Sequence, residues 1–229
     1  MADNSTVLFG LDPLWTATAL LIATYTALLS ERLNRAIVAL LGAGLMIVLG
    51  LLTQEQAIAG VDFNTLALLI GMMLIVAIAR RSGIFQSVAI IAARVTRANP
   101  AGCLALLAIV TALFSALLDN VTTVLLVAPV TLVICRELKV PPYPFLFSEI
   151  FASNIGGTAT LIGDPPNIII GSAAHLSFMD FVHALMPVCV VVLILTCAVV
   201  HLLWGRKLMA DSAARARVMA LDRGAAITD

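Results

Sequence analysis

Charge is what this chain has least of. Only 11% of its 229 residues are Asp, Glu, Lys or Arg, and 62% are hydrophobic. An average soluble domain is about a quarter charged and about half apolar, so a soluble globular protein is excluded. The thirteen basic and thirteen acidic residues cancel, which removes the global field that a nucleic-acid partner requires. Four cysteines (Cys103, Cys135, Cys189, Cys197) show no CxxC spacing, so neither a metal knuckle nor a disulfide framework is indicated. They read as buried small hydrophobes. His175, His183 and His201 never stand four residues apart, and no metal-ligand set or nucleophile–base pair supports an intramembrane enzyme. The opening Met1-Ala-Asp-Asn-Ser-Thr lacks the basic segment of a secretory signal, so the first apolar run reads as a retained span.

What the chain does have is apolar runs at about 13–30, 36–52, 64–79, 101–118, 121–134, 143–155, 167–174 and 185–204. A crossing takes about 20 apolar residues, so 13–30, 36–52, 64–79 and 185–204 read as spans and the rest are short. Segment 84–95, ending in Arg94 and Arg97, reads as an interfacial helix. Lys and Arg are absent from 1–12 and 53–63. They gather in 31–35, 80–99, 136–139 and the tail after Trp204. Basic loops face the cytoplasm, which puts the N-terminus outside and the tail 205–229 inside. Residues 100–135 are then basic at both ends and read as a re-entrant hairpin, while 143–174 reads as an outward-going broken helix. Two separate spans at 101–118 and 121–134 are the alternative, since parity allows them.

Two polar interruptions stand out in this apolar context. Asp119-Asn120 falls at the hairpin tip, and Gly156-Gly157-Thr158 through Gly163-Asp164-Pro165-Pro166-Asn167 breaks the following helix. Intramembrane charge marks substrate and ion paths, and broken helices near the midplane are where transporters build their sites. Asp119 and Asp164 read as N-caps of half-helices. Hydroxyls and amides (Thr122, Thr123, Thr158, Thr160, Asn120, Asn154, Asn167) and free carbonyls at Leu118 and near Ile155 form an oxygen-rich set suited to sodium. Asn120 and Asn154 are candidate sodium ligands. Asp119, Asp164 and Glu149 are candidate proton carriers. Electrostatically, the aspartates partly cancel the helix dipoles, so the site suits cation or proton coupling, or a neutral substrate, better than a dianion. Structural capping remains open for Asp164, and snorkelling for Glu149.

The runs SALLDNVTTVLLVAPVTLVICREL and FSEIFASNIGGTATLIGDPPNIIIGSAAHLSFMDF resemble the ion transporter superfamily, in particular its branch of arsenical-pump membrane proteins (ArsB) and P protein. The likeness covers roughly 100–190. It implies an all-α polytopic fold of inverted repeats, each with five spans and a re-entrant hairpin, and an elevator-like movement of hairpin and broken helix. By motif, it implies a hairpin tip at Asp119, Asn120 and Thr122. It also implies a loop beginning at Asn154, Gly156, Gly157 and Thr158 and ending at Gly163, Asp164 and Asn167. Only one LLDN and one GDPPN occur, so the chain is expected to be the N-terminal half. The resemblance implies arsenite or antimonite export in the cell membrane, with a Na+/H+ antiporter as one alternative. A dicarboxylate or citrate permease is the other, disfavoured because that branch carries Ser-Asn-Thr at its tips where this chain has Asp119 before Asn120. Expected partners are the lipid bilayer, a second repeat or partner half, a second copy in a homodimer, or a cytoplasmic ATPase subunit. No cofactor is expected beyond a coupling H+ or Na+. A non-transporting fragment or assembly subunit is the remaining alternative.

Overall fold

Helix starts follow the short polar residues. Asp12 takes the N–H groups of Leu14 (2.8 Å) and Trp15 (3.4 Å) ahead of Pro13. Asn34, Asn99, Asp119 and Asp211 cap in the same way, and Thr53–Gln56 and Ser177–Asp180 form reciprocal capping boxes. Each such side chain satisfies donors that a helix end otherwise leaves bare. The computed structural model describes residues 12–221. The expected outside N-terminus, before Asp12, and the tail from 222, including Arg223, lie outside the described residues.

The chain divides into two units at Phe63. In the first, α1 (Pro13–Leu29) packs on α2 (Arg35–Val48), followed by the short α3 (Gln54–Ala59). A Cβ on Gly42 would stand 2.7 Å from Thr24 Oγ1, so this glycine permits close helix contact.

The second unit contains α4 (Phe63–Arg81), α5 (Ile84–Val95), α6 (Pro100–Ser115), α7 (Asn120–Leu138), α8 (Tyr143–Thr158), α9 (Pro165–Ala174), α10 (Phe178–Val200) and α11 (Ser212–Met219). Its core is built on α8, which lies chiefly along α6 and also against α7. α5 turns Phe85, Ala89, Ala92 and Ala93 into this core against α6 and α7. The 84–95 segment, expected at the interface, thus has its inner face on protein. α10 packs along α8.

Several boundaries differ from expectation. α7 reaches Leu138, because Pro129 is accommodated inside it. At 19 residues it is long and apolar enough to cross a membrane. The last apolar helix starts at Phe178 instead of 185, because the Ser177–Asp180 box sets its start, and it continues through a π-helical turn to Gly205. α8 stays helical through Gly156-Gly157-Thr158, so the break is confined to 159–164. Within the tail, α11 folds back on α7 and α5 and buries Ala214 and Val218.

Among the described residues, α4, α7 and the 178–205 helix meet the length and hydropathy of membrane spans. Only 11% of the α4 and 178–205 windows is buried within the protein. The outward apolar side chains, such as Ile78 and Ile194, need a lipid solvent. The protein is an all-helical polytopic membrane protein.

Candidate functional site

The hairpin tip and the broken helix meet. Asn120, first residue of α7, donates its amide N–H to Asn154 Oδ1 on α8 at 3.1 Å. Asn154 is itself held by its own amide N–H on Ile150 O at 2.8 Å, and Thr158 Oγ1 donates to Asn154 O at 2.8 Å. Asp119 Oδ1 accepts Thr122 N–H at 2.9 Å, so the expected N-cap is present. Asp119, Asn120 and Thr122 are partly exposed, and Asn154 and Thr158 are exposed.

Close backbone approach explains the glycines. A Cβ on Gly156 would stand 2.1 Å from Ala112 O, and one on Gly163 would stand 2.5 Å from Gly157 O and 2.7 Å from Ser115 O. Gly157 would meet Gly163 O at 2.8 Å. The loop is thereby pressed onto the ends of α6 and α8. Thr160, buried, fastens it by donating to Ala116 O while accepting Gly163 N–H at 3.1 Å. Ser115 Oγ donates to Ser153 O at 2.6 Å. Thr123 is fully buried, with its hydroxyl on Asp119 O at 2.9 Å.

The candidates therefore separate. Asp119, Asn120, Thr122, Asn154, Thr158, Asp164 and Asn167 present polar groups at the junction. Thr123, Thr160, Gly156, Gly157 and Gly163 hold the backbone that carries them. Asn167 does not offer a free oxygen-rich end of α8. Its amide N–H points at the carbonyls of Thr160 (2.9 Å), Gly157 and Thr158 (both 3.4 Å), capping the α8 end where an open carbonyl was expected near Ile155.

Asp164 occupies the N-cap position of α9, but its side chain makes no capping bond. The reason is chemical. Pro165 and Pro166 have no N–H, and the N–H of Asn167 goes to Asp164 O at 3.0 Å. Among the described residues nothing at that helix end hydrogen-bonds the carboxylate, which lies close enough to Asp119 for the two charges to interact.

Glu149 stands apart from this junction. It is 1% exposed, deep in the α6–α7–α8 core, and its Oε1 accepts the hydroxyl of Thr131 on α7. Its Oε2 has no partner among the described residues.

Sequence reasoning missed Arg80 and Arg81. They line a cavity of about 800 Å³ together with Met73, Val76, Ala77, Asp119 and Thr122. In the sequence their charge reads as a topological signal, and only the fold puts the end of α4 on the same cavity as the hairpin tip.

α10 measures the depth of the junction. Its Cys189 lines an apolar cavity with Ala116 and Ala159, next to the tip and the loop. Farther along, Trp204 meets Phe147 (5.5 Å) and Tyr143 (6.0 Å) at the start of α8. At about 1.5 Å per residue, Cys189 is roughly 22 Å from Trp204 and roughly 16 Å from the Phe178 end.

Comparison with known proteins agrees with this architecture. The family model described as "Citrate transporter" (CitMHS) matches residues 25–227. An uncharacterized transporter of Mycobacterium tuberculosis is 47% identical over 93% of this chain and 50% of its own length. A 46 kDa membrane protein of Mycobacterium leprae is 43% identical over 93% of this chain and 51% of its own length. The human P protein is 39% identical over 84% of this chain and 24% of its own length. The chain spans about half the length of the mycobacterial relatives. With its helical hairpin, broken helix and matched sequence, the chain belongs to the citrate transporter family of membrane transporters.

Proposed function

We propose that this chain is one half of a secondary active transporter for a multiply charged carboxylate of the citrate class, driven by H+ or Na+. The observation that carries the reading is the Asn120–Asn154 bond, which joins a hairpin tip to the end of a broken helix. Such paired interruptions, with the N-termini of α7 and α9 turned to one junction, are where transporters hold anionic groups and coupling ions. The position of the junction, partway along the 178–205 helix, supports a re-entrant hairpin in place of two full spans. Arsenite and antimonite give way to citrate because the matched family model is the citrate one.

Asp119 and Asp164 are the groups for a coupling cation or proton. Asn120, Thr122, Asn154 and Thr158 supply neutral ligands. A second half, continuous with the chain or a second copy, completes the site, because one half leaves polar backbone without its opposing wall. The membrane is the cell membrane, with the tail cytoplasmic. A cation/proton antiporter is the second reading, favoured by the proximity of Asp119 and Asp164.

The test is uptake of radiolabelled citrate into vesicles prepared from cells expressing the protein. Citrate accumulating under an imposed proton or sodium gradient, and released by the matching ionophore, supports the reading. Sodium-driven proton movement without citrate uptake would replace it with the antiporter. Arsenite tolerance without citrate uptake would restore the oxyanion substrate.

A further inference from the structure

We propose that Glu149, sealed in the α6–α7–α8 core, carries the proton that drives transport. Resting on the reading of the chain as a secondary transporter, this assignment makes H+ the coupling ion and Glu149 its site. Glu149 is 1% exposed, and Ala152, Ser153 and Gly156 on the same face of α8 are buried as well. Thr131 of α7 donates its hydroxyl to Oε1, while Oε2 has no hydrogen-bond partner among the described residues. Glu149 makes no ion pair among them either. An ionised carboxylate in such surroundings is very costly unless it is paired. The packing therefore accommodates the carboxylic acid, with its proton on Oε2 because Oε1 already accepts Thr131.

The neighbours leave this acid without a counter-charge. α6, α7 and α10 are the helices packed most closely on α8. α6 carries no Asp, Glu, Lys, Arg or His, and its titratable group is Cys103. α10 carries Asp180 and His183 in its first two turns, and then only Cys189 and Cys197. From α7 the titratable neighbour is Cys135, close enough for thiol and carboxyl group to interact. Arg136 and Glu137 follow it at the end of α7, where Glu137 is engaged by Arg217.

A purely structural role does not account for the carboxyl group. Thr111 and Thr123, equally buried, satisfy their hydroxyls on their own helices, at Leu107 O and Asp119 O. Glutamine would offer Thr131 the same acceptor in the same shape. What glutamate adds is a proton that can leave. Along α8, Glu149 stands about 9 Å from Tyr143 at the helix start and about 8 Å from Asn154 at the junction. One turn on, the carbonyl of buried Ser153 accepts the buried Ser115 hydroxyl at 2.6 Å. That Ser115 Oγ lies 3.3 Å from where a Gly157 Cβ would stand. Polar groups thus continue from Glu149 to the loop at the junction, and acids facing a bundle interior mark proton relays. The step is one protonation: water on one side gives H+ to the carboxylate, and the acid returns it to water on the other.

The experiment has two readouts on the whole protein in vesicles. The first is infrared difference spectroscopy across pH, which detects the C=O stretch of a protonated carboxyl group. A titrating band is expected in the unmodified protein, absent from E149Q and kept in the double variant D119N/D164N. No titrating band, or one that E149Q keeps, overturns the assignment. If E149Q fails to fold, the double variant decides, because loss of the band there gives the proton to the aspartates. The second readout compares citrate uptake driven by a pH gradient with citrate–citrate exchange, which needs no net proton movement. In E149Q the ratio of driven uptake to exchange is expected to fall by about tenfold or more. An unchanged ratio makes Glu149 a structural residue and overturns its coupling role. A titrating band lost in E149Q, without citrate transport by the unmodified protein, upholds the proton site and overturns citrate as the substrate.

Discussion

Asn120 and Asn154 are 34 residues apart in the chain, and their side chains share one hydrogen bond of 3.1 Å at the junction of hairpin tip and broken helix. The bond is exposed, so it adds little to stability, and its place next to Asp119 and Thr158 gives it another use. Asn120→Ala and Asn154→Ala are expected to lower citrate uptake by about tenfold each, equivalent to roughly 1.4 kcal/mol. The melting temperature should move little. A large fall in melting temperature with uptake per folded molecule unchanged would make the pair a structural clip.

Glu149 and Thr131 call for a different experiment, because their contact is sealed in the α6–α7–α8 core. Replacing Glu149 with alanine removes the acceptor from a buried hydroxyl and leaves a void, for an expected loss of about 1–3 kcal/mol. Glutamine keeps the shape and the acceptor, so Glu149→Gln should stay within about 1 kcal/mol of the parent in a detergent unfolding assay. Glutamine cannot carry a proton. If Glu149 is a proton carrier, E149Q remains folded and loses proton-driven uptake. If it is only a knot between α7 and α8, E149Q transports normally.

Much of this fold could be read locally. Asp12-Pro13, Asn99-Pro100 and Asp119-Asn120 announce helix starts, because their side chains satisfy bare N–H groups within four residues. The link from the Asp119-Asn120 tip to the broken helix, through Asn154, accords with the cost of leaving such polar groups alone in hydrocarbon. Other features depended on distant partners. Gly156-Gly157 reads as a break, yet the backbone stays helical there because its closeness to Ala112 makes glycine necessary without bending the chain. Asn167 reads as an oxygen ligand, and only the fold shows its N–H turned onto Thr160 O. Arg80 and Arg81 read as loop charges until α4 and the tip are seen to share a cavity.

The Gly156 contact provides a steric test. An added Cβ would sit 2.1 Å from the Ala112 carbonyl oxygen, which is backbone and has no rotamer to move. Gly156→Ala must push α6 from α8, at a cost of about 3 kcal/mol or more. Gly44→Ala is the matched control, because a Cβ there meets nothing within 4 Å and alanine is the better helix former. Thermal unfolding in detergent should show a clear loss for the first and no loss for the second. Equal behaviour of the two would contradict the tight α6–α8 packing.

The returning tail helix gives the last test. Arg217 Nε donates to Glu137 Oε2 at 3.1 Å, and its Nη2 donates to Glu137 O at 2.9 Å. Beneath them Val218 is fully buried, in the same cluster as Leu138 and Val140, and Ala214 is nearly so. An ion pair this exposed is worth at most about 1 kcal/mol, so Arg217→Ala should leave α11 in place. Val218→Asp places a charge without a partner in the cluster and should release the helix. Hydrogen exchange read by mass spectrometry over residues 212–219 separates the two, since a docked helix is protected and a detached one is not. Fast exchange in V218D and slow exchange in R217A would show that apolar burial, rather than the salt bridge, ties the tail to α7. Equally fast exchange in both variants would assign that work to Arg217 and Glu137.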